Sequence, residues 1–220
     1  SRIPSALFVL FLAVPSGLIA QQDEADRHFS AGAGVGLTTP VGNQSGKLDR
    51  AIHFEAGGGY FFNSHLGVTG NFLFTSPDVS AAELTRLSQI SGSTNIIAIT
   101  IDPTYRLRVT RNLSVYVFGG GGYLRRRTDL THASTAQTVT IGGTQVTLDP
   151  GFGFFGPAQG TGSPITVRTT EGAGAFDAGA GINVRIPKTK LQMFVEGRYV
   201  QGFTGTSNTT LLPVTVGIRW

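Results

Sequence analysis

The 220-residue chain predicts one fold class: all-β, an eight-stranded antiparallel up-and-down transmembrane β-barrel with long loops at one end. Three observations carry this. Apolar and polar residues alternate with period two along most of the chain, and sustained helical periodicity is missing. Short and long connections take turns between the alternating segments. Aromatic residues on the apolar face gather at two heights.

Alternation marks eight strands at 29–39, 51–62, 66–76, 95–109, 113–128, 166–186, 191–203 and 210–220. The one stretch with helical spacing, 81–87, is short. Asn63-Ser64-His65, Thr110-Arg111-Asn112 and Pro187-Lys188-Thr189-Lys190 form tight connections of turn-type residues. The others, 40–50, 77–94, 129–165 and 204–209, are longer, two of them much longer. An outer-membrane barrel has short periplasmic turns and longer extracellular loops; a soluble sandwich has no reason to.

One face holds Phe29, Val35 and Leu37, then Ile52, Phe54 and Tyr60, and later Ile97, Ile99 and Ile101; the last strand adds Leu212, Val214, Val216, Ile218 and Trp220. The opposite face holds His53, Glu55, Asn71, Asp102, Arg106, Arg108, Asp177, Asn183, Arg185, Glu196, Arg198 and Arg219. A soluble ligand-binding barrel would turn the apolar face inward. The aromatics argue for lipid instead. With strand directions set by the loops, Phe29, Tyr60, Phe62, Tyr105 and Trp220 share the periplasmic end. Phe72, Phe74, Tyr123, Phe176, Tyr199 and Phe203 share the extracellular end. Two belts around an aliphatic band are what two lipid interfaces select.

The first residues have their own logic. Arg2 precedes the apolar run 6–14, and small residues lead to Ala20. This order predicts a secretory signal peptide at 1–20, with a periplasmic spacer at 21–28 before the barrel at 29–220. A membrane anchor is the alternative, but a helical span needs roughly 20 apolar residues and Pro15 interrupts this run. The chain has no cysteine, which excludes disulfides and thiolate metal sites. Its net charge is +4, yet Arg125-Arg126-Arg127 is the one dense basic cluster, so the footprint of a nucleic-acid binder is missing.

The closing run from Leu212 to Trp220, with Val214, Val216 and Ile218 alternating up to a terminal aromatic, resembles the C-terminal assembly signal of outer-membrane barrels. Val117-Phe118-Gly119-Gly120-Gly121-Gly122-Tyr123 and Phe194-Val195-Glu196-Gly197-Arg198-Tyr199 resemble strands of small OmpA-like and opacity-type barrels. The resemblance covers the chain from about residue 29 onward. It implies an integral outer-membrane protein whose partners are the barrel-assembly machinery, outer-membrane lipid and lipopolysaccharide, with no cofactor. No peptidoglycan-binding domain is expected after the last strand.

Each candidate site has a structural alternative. The runs Gly32-Ala33-Gly34-Val35-Gly36 and Gly119 to Gly122 lack the following helix that a phosphate cradle needs; small residues that make room inside a narrow barrel account for them better. His132-x-Ser134 resembles part of a nucleophilic pair in lipid-A deacylases, but no acid is placed to orient the base. His28, His53 and His65 show no metal-ligand spacing. Arg125, Arg126 and Arg127, where the fifth strand leaves the membrane, are either a clamp for lipopolysaccharide phosphates or a solvated rim. Glu55, Asp102, Arg106, Asp177, Arg185, Glu196, Arg198 and Arg219 form a lumen charge network, read as a structural plug because eight strands enclose little more than their own side chains. A gated proton or ion path is the alternative. In the longest loop, two alternating arms flank Gly142-Gly143 as a hairpin, and Phe152, Phe154 and Phe155 follow as a candidate contact surface.

The leading functional expectation is a non-enzymatic surface barrel whose loops engage lipopolysaccharide, a cell surface or a protein partner. A narrow channel for small or hydrophobic solutes is the second. A lipid-A-modifying enzyme is the third.

Overall fold

The computed structural model describes residues 28–134, 137–141, 144–148, 162–204 and 208–220. The expected signal peptide lies outside them, as does all of the spacer except His28. The strands are β1 (Phe29–Val41), β2 (Ala51–Phe61), β3 (Leu66–Thr75), β4 (Ser91–Arg108), β5 (Leu113–Ser134), β6 (Gln137–Ile141), β7 (Thr144–Leu148), β8 (Gly162–Arg185), β9 (Gln192–Gly202) and β10 (Thr209–Arg219). Eight of them close in the order β1-β10-β9-β8-β5-β4-β3-β2, every pair antiparallel, while β6 and β7 make a separate hairpin.

The tight turns hold because their own side chains accept the amides that the ladder leaves over. Asn63 Oδ1 accepts from the backbone N–H of His65 and of Leu66, both at 2.8 Å. Thr110 Oγ1 accepts from Leu113 N at 3.1 Å, and Thr189 Oγ1 from Leu191 N at 3.2 Å. Closure is completed by the ends of the chain's own sheet. Ala33 faces Ile218 across the β1–β10 seam, and Trp220 exchanges two backbone bonds with Ala31, at 2.9 and 3.1 Å. No strand edge of the barrel is left for lipid to solvate, which lipid cannot do.

The wall divides as the alternation predicts. Val35, Ile101, Val117, Val195, Val214 and Val216 are exposed on the outside, and both expected aromatic groups are exposed with them. Tyr60 sits edge-on between Phe29 and Phe62, at 5.2 and 5.6 Å between centroids. At the opposite end Phe176 meets Tyr199 and Phe203 at 6.0 and 5.8 Å.

Three strands run further than the sequence suggests. β4 begins at Ser91, β5 continues to Ser134 and β8 starts at Gly162. Ser91 pairs with Thr131, and Thr131 with Thr166, so they form one ribbon beyond the outer aromatics. From Tyr123 to Ser134 the strand adds about 35 Å at roughly 3.4 Å per residue. Above the membrane both faces meet water, the apolar alternation lapses, and polar strand reads as loop.

The helix α1 (Ala81–Leu87) lies in the β3–β4 connection at this end of the barrel. Ser80 Oγ accepts from Glu83 N at 3.3 Å and donates to the Gly46 carbonyl at 2.5 Å, which satisfies a helix-start amide. The hairpin around Gly142-Gly143 is borne out by the register from Gln137↔Leu148 to Ile141↔Thr144. Phe152, Phe154 and Phe155 lie outside the described residues.

Arginine on the lipid face costs about 2–4 kcal/mol at mid-membrane and about 0–1 kcal/mol near an interface. Val214→Arg should therefore destabilise the folded barrel more than Ile218→Arg, read as urea midpoints in lipid vesicles. Deletion of Trp220 removes the last backbone pair of the seam and should cut the yield of heat-modifiable, folded barrel. Equal midpoints, or normal yield without Trp220, would contradict this account.

A lumen filled in three layers

Inward-facing residues fill the barrel in layers. Under the long-loop end lies an apolar layer of Leu73, Ile96, Ala98, Leu124, Val200 and Leu211, all buried. Expecting charges throughout the lumen missed this layer. Its members occupy the same alternating face as the charges, but single apolar residues on a polar face give no period of their own.

The middle layer is built around Arg198, which is 4% exposed. Its guanidinium reaches Glu55 at 2.8 Å, Glu196 at 2.8 Å, Asp177 at 2.5 Å and Asp102 at 3.4 Å. The ring of Phe118 lies 4.5 Å from its Cζ. The registers explain the convergence: Arg198 stands opposite Gly179, and glycine at such sites leaves the volume that long side chains fill. At Gly120 an added Cβ would fall 2.5 Å from Oδ1 of Asp102. Asn71 donates to Asp102 at 2.6 Å and Thr100 donates at 3.0 Å.

Glu55 also anchors a buried chain that site-finding from sequence missed. Thr215 Oγ1 donates to Glu55 at 2.8 Å, His53 Nε2 meets Thr215 Oγ1 at 2.8 Å, and Thr38 Oγ1 meets His53 Nδ1 at 3.0 Å. With the Thr215 proton given to Glu55, a neutral His53 carries its hydrogen on Nε2 and accepts from Thr38. The legible signal was placement: His53 lies on the charged face two residues before Glu55.

The third layer faces the short turns. Arg219 lies 3.7 Å from Glu196 and bonds Asn183 at 3.2 Å. Tyr116 and Phe194 flank it, each ring 4.7 Å from its Cζ. Tyr116 donates to Glu196 at 2.7 Å. Phe194 fits because Gly217 faces it, where a Cβ would lie 2.5 Å from the ring. Arg106 stands opposite Tyr116 and stacks on Phe61 at 3.9 Å. Arg185 joins Arg106 and Arg108 around a cleft at this mouth. The expected network is thus partly assembled: Glu55, Asp102, Asp177, Glu196, Arg198 and Arg219 meet, while Arg106 and Arg185 line the mouth.

The sequence profile of the outer membrane protein beta-barrel domain matches residues 5–219. The chain belongs to that family. Among solved structures it is similar to Ail, the attachment invasion locus protein of Yersinia pestis, with TM-score 0.50, 15% identity, and coverage of 88% of this chain and 99% of that one. It is similar also to Neisserial surface protein A, with TM-score 0.55, 10% identity, and coverage of 87% and 96%. At these identities the likeness is one of fold. No curated protein sequence matches significantly. The barrel is an integral outer-membrane protein, with its short turns in the periplasm and its ribbon outside.

The extracellular ribbon separates the arginine triplet by alternation. Arg126 turns inward, 2.6 Å from Glu171, and donates to Thr209 at 3.1 Å. Arg125 and Arg127 turn outward above Tyr123. Arg127 approaches Asp129 at 3.5 Å, and Arg168 on β8 reaches the same carboxylate at 2.8 Å. The Arg168 hydrogen bond, aided by the charge of Arg127, holds the Asp129 carboxyl below its ordinary range. A depressed carboxylate contributes stability above its unfolded pKa and loses it as pH falls through the folded value. Being exposed to solvent, this pair contributes little to stability. A cleft of about 160 Å³ opens beneath α1, lined by Lys47, Leu48, Glu83, Leu87, Arg126 and Leu130 among others. His132 and Ser134 lie on the β5 extension.

Removing one partner from a buried ion cluster costs about 3–5 kcal/mol, because it strands the others. Arg198→Met should lower barrel stability by about that amount in urea. Neutralising its neighbours as well, with Glu55→Gln, Asp102→Asn and Asp177→Asn, should recover much of the loss. An Arg198→Met barrel with the wild-type midpoint would show that the cluster holds nothing together.

Proposed function

We propose that the chain is a non-enzymatic surface barrel that recognises its ligands through the extracellular ribbon of β4, β5 and β8. The observation that carries this is a paired sheet standing beyond the outer aromatic belt, over a lumen packed with its own side chains. Extending three paired strands into water has no membrane-spanning purpose. It does place side chains at a defined height above lipid, and sites on paired strands hold geometry better than sites on loops.

The outward arginines support lipopolysaccharide as one ligand. Arg125 and Arg127 rise directly above Tyr123, the depth at which lipid-A phosphates meet the aromatic belt, and Arg168 adds a third guanidinium from β8. Guanidinium binds phosphate bidentately. Arg126 takes no part in this reading because it faces inward against Glu171. The loops beyond the ribbon are the expected site for a protein or cell-surface partner. Ail carries attachment and invasion in its name, a role that fits the same arrangement.

Four results test this. The purified barrel in a planar bilayer should give no porin-sized conductance; stable current would favour a channel. Arg125→Ala with Arg127→Ala should weaken lipopolysaccharide retention roughly 25-fold, at about 1 kcal/mol for each basic residue near an anionic surface. Undiminished retention removes that ligand. Protease added to intact cells should cut between residues 129 and 165 and leave the barrel embedded. If a short turn in place of residues 137–157 leaves every surface-binding phenotype intact, recognition does not reside there.

A further inference from the structure

We propose that the periplasmic mouth of the barrel is a binding site for a phosphate group, supplied by an anionic headgroup of the inner leaflet or by a free phosphate or pyrophosphate. The β4–β5 turn and the ends of β8 and β9 enclose a cleft of about 40 Å³ lined by Arg106, Arg108, Arg111 and Arg185, with no acid among the described residues of its lining. Asn183 and Gln192 add neutral hydrogen-bonding groups to the same wall. The adjoining turn carries Lys188 and Lys190.

The nearest acids along these strands are already engaged. Glu196 is held by Arg198 and Arg219, and Asp102 by Arg198. Arg106 lies flat on Phe61, and its Nε is buried with no hydrogen-bond partner. Stacking uses the face of a guanidinium and leaves its edge donors for an anion. Like charges gathered in one cleft repel one another, and a multivalent anion turns that repulsion into attraction.

Depth suits a headgroup. Tyr105 belongs to the inner aromatic belt, and Leu107 and Val109 are exposed on the lipid side just before the turn. Arg108 and Arg111 therefore stand at the depth of the inner-leaflet phosphates, at the rim of the mouth, and basic clusters at that depth attract anionic headgroups.

The test uses the full barrel and R108Q/R111Q, each confirmed as folded by heat-modifiability. Pyrophosphate is titrated in zwitterionic detergent, and lipid retention is read by native mass spectrometry from nanodiscs of phosphatidylethanolamine with cardiolipin. The wild type should bind pyrophosphate and keep cardiolipin in preference to phosphatidylethanolamine. The double variant should bind roughly 25-fold more weakly, about fivefold for each arginine. If the double variant does not fold, R111Q at the turn tip should show the single fivefold loss. Cardiolipin that pyrophosphate displaces identifies a headgroup site; pyrophosphate binding without lipid preference identifies a free-phosphate site. Equal binding by wild type and variant overturns the proposal. So does binding that emerges only after Asp23→Asn, Glu24→Gln and Asp26→Asn, which would assign the arginines to the chain's own acidic segment.

Discussion

Hydrocarbon offers no partner to a backbone N–H or C=O, and each unsatisfied group there costs several kcal/mol. Closure of β1 on β10 is the answer on which the rest of this molecule depends. Once the sheet is closed at eight strands the interior width is set, and it is just wide enough for side chains. Everything inside must then fit by volume as well as by charge. That is why glycine recurs on the inward face opposite large side chains: Gly217 facing Phe194, Gly179 facing Phe118 and Gly181 facing Tyr116.

Within that width the polar interior is governed by Arg198. Four carboxylates converge on one guanidinium, and Arg219 takes the far oxygen of Glu196. Such a cluster adds little stability over a well-packed apolar core, because desolvation offsets the Coulombic gain. What it does supply is mutual dependence among strands. Glu55 comes from β2, Asp102 from β4, Asp177 from β8, and Glu196 with Arg198 from β9. A register slip of one residue in any of them would move a charge from the lumen into lipid. The cluster therefore specifies register in a barrel whose lipid face, apolar throughout, discriminates poorly between neighbouring alignments.

The parts legible from sequence are those that lipid constrains directly. Eight strands, the outward and inward sets, both aromatic belts and the three short turns follow from alternation and from residues such as Asn63 and Thr110. So do the Arg198–Gly179 and Arg106–Tyr116 pairs, by counting back from the turns. Where lipid stops constraining the chain, legibility stops. Residues 91–94 and 129–134 are mostly polar and show no apolar alternation, so their strand character rests on pairing partners that no local pattern reveals. The apolar layer around Leu124 and Leu211 was hidden for the converse reason, being isolated apolar residues on a face defined by its charges. The grouping of Arg125, Arg126 and Arg127 as one patch came from adjacency in sequence, whereas a strand sends neighbours to opposite faces.

That last point bears on how the two ends of the barrel differ. At the outer end, alternation divides basic residues between lumen and surface, and acids answer them: Glu171 for Arg126, Asp129 for Arg127 and Arg168. The excess positive charge is left facing outward. At the periplasmic end Arg106, Arg108 and Arg185 all fall on the inward face, at even spacing from the lumen residues before them, and the described residues that line their cleft include no acid. The same period of two thus produces a lipid-facing ladder at one interface and an inward-facing ring at the other. The packed layers around Arg198 and Leu124 lie between the two electrostatic surfaces and keep them apart. A ligand at one end is then felt at the other only through the strands, and with Arg198 locking four carboxylates in register, those strands are poorly placed to slide.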